Sequence, residues 1–281
     1  MLTVRPSPIA GTWYPGSAET LARSVDAQLN AAQVQPIPGE IVALIVPHAG
    51  HRYSGQVAGT AFRTLMGAER SPVAVVSPMH HPYPGQVLSS GHSAYSTPLG
   101  DIPVDQECLG RLEAALTSSG RIRVERITND SEHSLEIELP FLQRSLSPGF
   151  RLLPVMLRDQ DRPVAEAVGH ALAAVLTGSK PLLVASSDLS HFYPAPIARS
   201  LDQELLARVE AFDPVAVLTA EEEGVGFACG RAAIAAVLWA ARDLGADRVR
   251  LLSYANSGDV TGDFDSVVGY GAAVVYQASP A

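Results

Sequence analysis

Three apolar runs in this chain each end in a turn that carries histidine. The run 41–46 leads through Pro47 to His48, with His51 close behind. The run 72–77 leads through Pro78 and Met79 to His80 and His81, and the run 181–186 leads to Asp188 and His191. Five of the eight histidines fall in these turns. Imidazole is both the commonest metal ligand and the side chain that exchanges a proton near neutral pH, so the chemistry on offer is metal binding, proton transfer or both. Cys229 is a fourth candidate. It sits between Gly226 and Gly230 at the start of an alanine-rich helix, where the positive end of the helix dipole favours thiolate. Singly, these residues have plain structural readings: a turn histidine at His48, a packing cysteine at Cys229, a helix cap at Asp188. Together they point to a site of two imidazoles and one thiolate.

The elements that must position them follow from pattern. The runs at 41–46, 72–77, 152–156 and 181–186 are short, continuous and apolar, as in strands buried on both faces. Helical spacing predicts helices from Ser17 toward Ala32, over 55–67, 105–117, 162–176, 197–211 and 213–221, and from Gly230 to about Leu244. The stretch 135–146 is also helical, with Pro140 either kinking it or starting a new turn. Strands at 124–127, 250–254 and 266–276 complete the list, the last two linked by turns at 259–265. Residues 83–100, rich in glycine, serine and proline, read as loop with an edge strand near 86–89. Helices and strands alternate without a linker, repeat or low-complexity segment, which predicts one α/β domain spanning 1–281, with helices on a central mixed, largely parallel sheet. In a parallel sheet the three histidine turns share one edge, where open α/β sheets bind ligands.

Composition bounds the rest. With 281 residues, 47% hydrophobic and 17% charged, the chain can bury a large core. A net charge of −9 gives no footprint for nucleic acid and disfavours anionic membranes. Two cysteines make no disulfide framework, so Cys108 and Cys229 are expected free in a reducing cytoplasm. No run reaches the length of a membrane span. The segment GVGFACG (224–230) lacks the glycine spacing of a dinucleotide loop, and Asp259, Asp263 and Asp265 lack the spacing of a calcium loop. Ser186, Ser187, Asp188 and His191 leave a serine hydrolase as a remote alternative without its G-x-S-x-G elbow.

The segments AGTWYP (10–15), VPHAGHRYSG (46–55), SPMHHP (77–82), SEHSLEIELPFL (131–142), SSDLSHFYP (186–194), ACGRAAI (228–234) and SGDVTGDFDSVVGYGAAVVY (257–276) together resemble the Memo family, known in bacteria and archaea as AmmeMemoRadiSam system protein B. That family is similar in fold to the class III extradiol dioxygenases. The resemblance implies a single α/β domain with metal ligands at His48, His80 and Cys229. It implies Asp188 and His191 beside the metal, His191 at the place of an acid/base histidine, and Glu132 and His133 lining the same pocket with His81. Cys229 stands where ring-cleaving dioxygenases use a carboxylate. Arg52 and Met79 depart from the family's usual residues, and Arg52 either brings positive charge to the pocket mouth or is a surface guanidinium.

Two imidazoles and one thiolate on one face leave open positions for a chelating ligand. Fe(II) is the first expectation, and because thiolate is softer than carboxylate, Cu or Zn is also admitted. Asp188 and His191 are then expected to move protons, His191 as general base. Two functions fit: a redox or dioxygenase-like enzyme acting on a small molecule, or a non-catalytic protein that binds metal or a peptide in the same pocket. Neither metal, substrate nor oligomeric state is written in the sequence.

Overall fold

The apolar runs that precede the histidine turns form buried strands. In the computed structural model, which describes residues 3–120, 122–128 and 130–279, the chain runs β1 (Val4–Arg5), α1 (Ala18–Ala31), β2 (Gly39–Val46), α2 (His51–Arg63), β3 (Val73–Pro78), β4 (Val87–Ser90), β5 (Ala94–Thr97), β6 (Gly100–Pro103), α3 (Gln106–Gly120) and β7 (Val124–Ile127). A 3-10 turn (Glu136–Glu138) then leads into α4 (Leu139–Ser145), β8 (Leu152–Leu157), α5 (Arg162–Leu176), β9 (Leu182–Ser186), β10 (His191–Tyr193), α6 (Ala195–Glu210), α7 (Pro214–Thr219), α8 (Arg231–Asp243), β11 (Arg248–Asn256), α9 (Gly258–Thr261) and β12 (Val267–Ala278).

The main sheet has the order β10-β12-β2-β9-β3-β8-β4-β7, with β11 also on β12. Its four central strands, β2-β9-β3-β8, run parallel. β12 lies antiparallel on β2, and β4 antiparallel on β8. The fold is thus the expected α/β architecture, with a parallel centre, antiparallel partners on either side of it and a further parallel pair, β4 and β7, at one edge. All six residues of β3 and of β8 are buried, which is why, Ser77 apart, these strands are continuously apolar rather than alternating. α8 lies across β9, β3 and β2, with α5 packed on it; its residues 232–241 are all buried, so it is apolar on every side. No helix among the described residues is long and apolar enough to cross a membrane.

Parallel strands place their carboxyl ends together. Register pairs Val46 with Ser186 and Val76 with Ala185, so the turns after β2, β9 and β3 open at one sheet edge. Elsewhere the structure differs from expectation. The 83–100 segment is not mainly loop: it supplies β4, buried in the main sheet, and β5, which pairs with β1 and β6 in a separate small sheet. α2 begins at His51 rather than Gly55, because Gly50 already serves as its N-cap. Pro140 starts a helix rather than kinking one, in the first turn of α4 where its missing N–H is harmless. The 259–265 link contains the short helix α9.

Candidate metal centre

His48 follows β2 and is 2% exposed. Its backbone N–H donates to Asp188 Oδ1 at 2.7 Å, and the Ala49 N–H donates to the same oxygen at 3.2 Å. Asp188 is therefore a cap, but for the turn after β2 rather than for a helix of its own. Burial pushes its carboxyl up to about 7 even though the two amide hydrogen bonds oppose the shift. His80 follows β3 and is held twice by Glu132: ring Nδ1 lies 2.9 Å from Oε1, and the His80 backbone N–H donates to Oε2 at 2.6 Å. Glu132 also accepts the amides of His133 and Ser134 at 2.9 and 3.0 Å. Burial opposes charge on Glu132, yet the hydrogen bond and charge of His80, with the Ser134 amide, hold it well below the usual carboxylate range. A buried anion with this many donors is a firm anchor.

Cys229 comes to the same place because α8 presses its first turn against the end of β9. The Gly230 N–H donates to Ser187 Oγ at 2.9 Å, and the Cys229 N–H to the Asp188 carbonyl at 3.2 Å. A Cβ on Gly230 would stand 2.6 Å from the Ser186 carbonyl oxygen, so only glycine allows this approach. Cys229 Sγ ends 3.1 Å from His48 Nε2. One ligand atom each from His48, His80 and Cys229 lies within 4.8 Å of the others, and a second group with that property is His80, Glu132 and His133. Both groups share His80, so they describe one cluster.

The thiolate expected at Cys229 is not favoured by the free chain. α8 begins at Arg231, so the dipole acts from beyond the cap, while burial and then the Asp188 charge push the thiol up. A cation bound at this position would favour the thiolate, as for thiol ligands generally. Both cysteines are unpaired. His48 is also neutral: burial, then the charges of His133 and His80, hold its pKa well below the usual histidine value.

The remaining candidates are placed as follows. His133 stacks on His80 with centroids 4.9 Å apart and lies edge-on to His48 at 5.4 Å; burial lowers its pKa to about 4, the Glu132 charge opposing. His191 donates from Nδ1 to the Leu189 carbonyl at 2.7 Å, which leaves Nε2 as an acceptor. Burial lowers its pKa, and so, less strongly, does His80. His191 and Asp188 are not joined as a proton pair: the ring bonds a carbonyl and the carboxylate bonds amides. His81 is half-buried, its Nε2 3.2 Å from Ser131 Oγ. Arg52 is exposed, and its guanidinium lies 5.7 Å from the Tyr53 ring rather than on the histidines. His51, close to His48 in sequence, faces elsewhere: it is buried, with Nε2 donating to the Ile137 carbonyl at 3.0 Å.

Several contributors were not assigned to the site from the sequence. Trp13 covers His133 with centroids 4.0 Å apart. Arg5, 2% exposed, donates to Asp130, to Glu136 and to the Glu132 carbonyl, and so clamps the loop that carries Glu132. Their partners are more than a hundred residues away along the chain. Ser186 and Glu138 lie behind His48; an acid inside the apolar LEIELPFL segment is a signal that could have exposed the second.

A family model described as Memo-like protein matches residues 5–274. The chain is 34% identical over 274 residues to a MEMO1 family protein of Nitrosopumilus maritimus, covering 96% of this chain and 98% of the other. It is 35% identical over 274 residues to one of Methanosarcina barkeri, covering 97% and 100%. In fold it is similar to the crystal structure of the uncharacterized protein JW3007 from Escherichia coli K12, with a TM-score of 0.50 and 15% identity over 83% of this chain and 99% of that one.

Proposed function

The chain belongs to the Memo family, and from that premise we propose that it is a metal-dependent redox enzyme of dioxygenase type, acting on a small molecule that chelates the metal. His48, His80 and Cys229 are the ligands; ferrous iron is preferred, with copper or zinc accepted by the same donors. The observation that carries this reading is the convergence within 4.8 Å of the three ligand atoms, two from strand ends and one from the start of α8. The donor set also fits in scale. Metal–sulfur and metal–nitrogen bonds of about 2.3 and 2.1 Å, as measured for zinc, span roughly 3.1 Å at a right angle, and Cys229 Sγ lies 3.1 Å from His48 Nε2.

Iron or copper bound here would supply a redox couple, and any of the three metals would acidify a chelating hydroxyl. The chain's residues do the rest. Glu132 fixes the His80 ring and backbone, and Asp188 fixes the turn that presents His48. His191, committed at Nδ1 to the Leu189 carbonyl, offers Nε2 to take the substrate's hydroxyl proton. Phe227, edge-on at 5.6 Å, holds that ring in place.

Anaerobic purification followed by metal analysis tests the reading. Wild type is expected to carry about one ion per chain, and His48→Ala, His80→Ala and Cys229→Ala each to lose most of it while remaining folded, since ligands on turns contribute little to the core. Full occupancy in Cys229→Ala removes the thiolate from the site. Wild type that takes up neither iron, copper nor zinc overturns the metal reading and leaves a pocket that binds a peptide or small ligand without catalysis.

A further inference from the structure

Behind His48, on the side away from Cys229, lies a buried group of polar atoms that no ligand role explains. Ser186 Oγ is 2.9 Å from His48 Nδ1, 2.6 Å from the Ser134 carbonyl oxygen and 2.9 Å from Glu138 Oε1. His48, Ser134, Ser186 and Glu138 are each 2% exposed or less. A hydroxyl has one proton to give and two lone pairs. The Ser134 carbonyl only accepts, so it takes the Ser186 proton. Burial pushes the Glu138 carboxyl well above the usual carboxylate range, and its Oε2 has no hydrogen-bond partner, a poor setting for an anion. As a neutral acid, Glu138 donates its O–H to one lone pair of Ser186. The other lone pair accepts from His48 Nδ1–H, and Nε2 is left bare, 3.1 Å from Cys229 Sγ.

We propose that Ser186, itself held by Ser134 and Glu138, is the positioning residue that fixes His48 in its Nδ1–H tautomer and so makes Nε2 a metal donor. The effect on metal affinity rests on the ligand assignment above; the tautomer is a property of the metal-free chain and does not. The arrangement is a hydroxyl–imidazole counterpart of the carbonyl or carboxylate partners that commonly orient metal-binding histidines.

The test is nitrogen-15 NMR of histidine-labelled, metal-free protein, with the His48 signals assigned by their loss in His48→Ala. Wild type is expected to show Nδ1 protonated and Nε2 bare. Ser186→Ala is expected to admit the other tautomer and to weaken Fe(II) or Zn(II) binding about tenfold to a hundredfold. Glu138→Gln, which keeps both a donor and a neutral charge, is expected to leave tautomer and affinity unchanged. An Nε2–H tautomer in wild type overturns the proposal, and so does Ser186→Ala with tautomer and affinity both unaltered. A tenfold loss of affinity in Glu138→Gln overturns the neutral-acid assignment, because only a carboxylate's charge is missing there. If Ser186→Ala fails to fold, the wild-type spectrum still decides, because an Nε2–H tautomer there overturns the proposal. If wild type binds no metal, the ligand reading fails while the tautomer is still read.

Discussion

His191 separates an enzyme from a binding protein because it lies close enough to His48 and His80 to interact with their charge without belonging to the ligand group. A ligand and a base give different variants. His191→Ala is expected to keep metal affinity within about tenfold, as outer partners do, while losing metal-dependent oxygen consumption with a catechol-type chelating substrate. Wild type and variant that both bind metal, with neither consuming oxygen across a broad substrate panel, would favour the non-catalytic reading. A second residue, His51, sits outside the cluster and reports on stability. Burial, with the Ile137 carbonyl opposing, lowers its pKa from 6.5 to about 4. The folded chain therefore resists a proton that the unfolded chain accepts: the contribution is complete above pH 6.5 and is lost as pH falls toward 4. At about 1.4 kcal/mol per unit, the loss approaches roughly 3 kcal/mol. His51→Phe is expected to be less stable than wild type near neutrality, with the gap narrowing across that interval in denaturant titrations of metal-free protein. A constant gap would show that His51 keeps its ordinary pKa. Residue types at two strand ends and one helix start marked His48, His80 and Cys229 as candidates in the sequence, but their states were not legible there. The Cys229 thiol is raised rather than lowered because burial outweighs a dipole one residue removed, and burial is a property of the fold.

Elements explain which parts of the molecule the sequence could disclose. The buried parallel strands were legible because burial on both faces makes them continuously apolar, and α5 matches its expected 162–176 span end to end. β1, β5, β6 and β10 escaped because they are short, and β6 is largely exposed, so no alternation is long enough to read. β10 also contains Phe192 at a φ of 66°, a conformation that β-strand patterns do not anticipate. Two contacts between elements can be tested directly. Gly230→Ala would put its methyl 2.6 Å from the Ser186 carbonyl and must push α8 off β9, which is expected to cost about 1–3 kcal/mol. It is also expected to weaken metal binding by moving Cys229. Calorimetry and metal titration check both effects, and an unchanged metal affinity would mean that Cys229 does not depend on this seat. β12 holds the His191 turn in a similar way: Asp202 accepts the Ser190 amide at 2.8 Å, and a Cβ on Gly269 would fall 1.9 Å from Asp202 Oδ2. Alanine there is expected to disturb His191 and leave His48 in place.

At the scale of the whole molecule, the candidate ligands tie together parts of the chain that are distant in sequence. His48 and Cys229 are 181 residues apart, and they meet only because β2, β9 and β3 are neighbours in one parallel sheet, with α8 seated on β9. The unfolded chain keeps no such site. A metal that binds His48, His80 and Cys229 must therefore stabilise the whole fold by mass action, by about 2.7 kcal/mol at a free concentration a hundred times its dissociation constant. Domains of 150–250 residues gain roughly 2–4 °C per kcal/mol, and larger chains less, so this chain is expected to melt about 5 °C higher with Fe(II) or Zn(II) under anaerobic conditions. The gain should reverse with a chelator and vanish in His48→Ala, His80→Ala and Cys229→Ala. It should persist in Arg52→Ala, whose guanidinium lies on Tyr53, and in His191→Ala. Differential scanning calorimetry with and without metal reads all of these shifts. A metal-induced rise of the same size in all three ligand variants would place the binding site elsewhere on the molecule, whereas a rise lost only in His80→Ala would assign the metal to the second group, His80, Glu132 and His133.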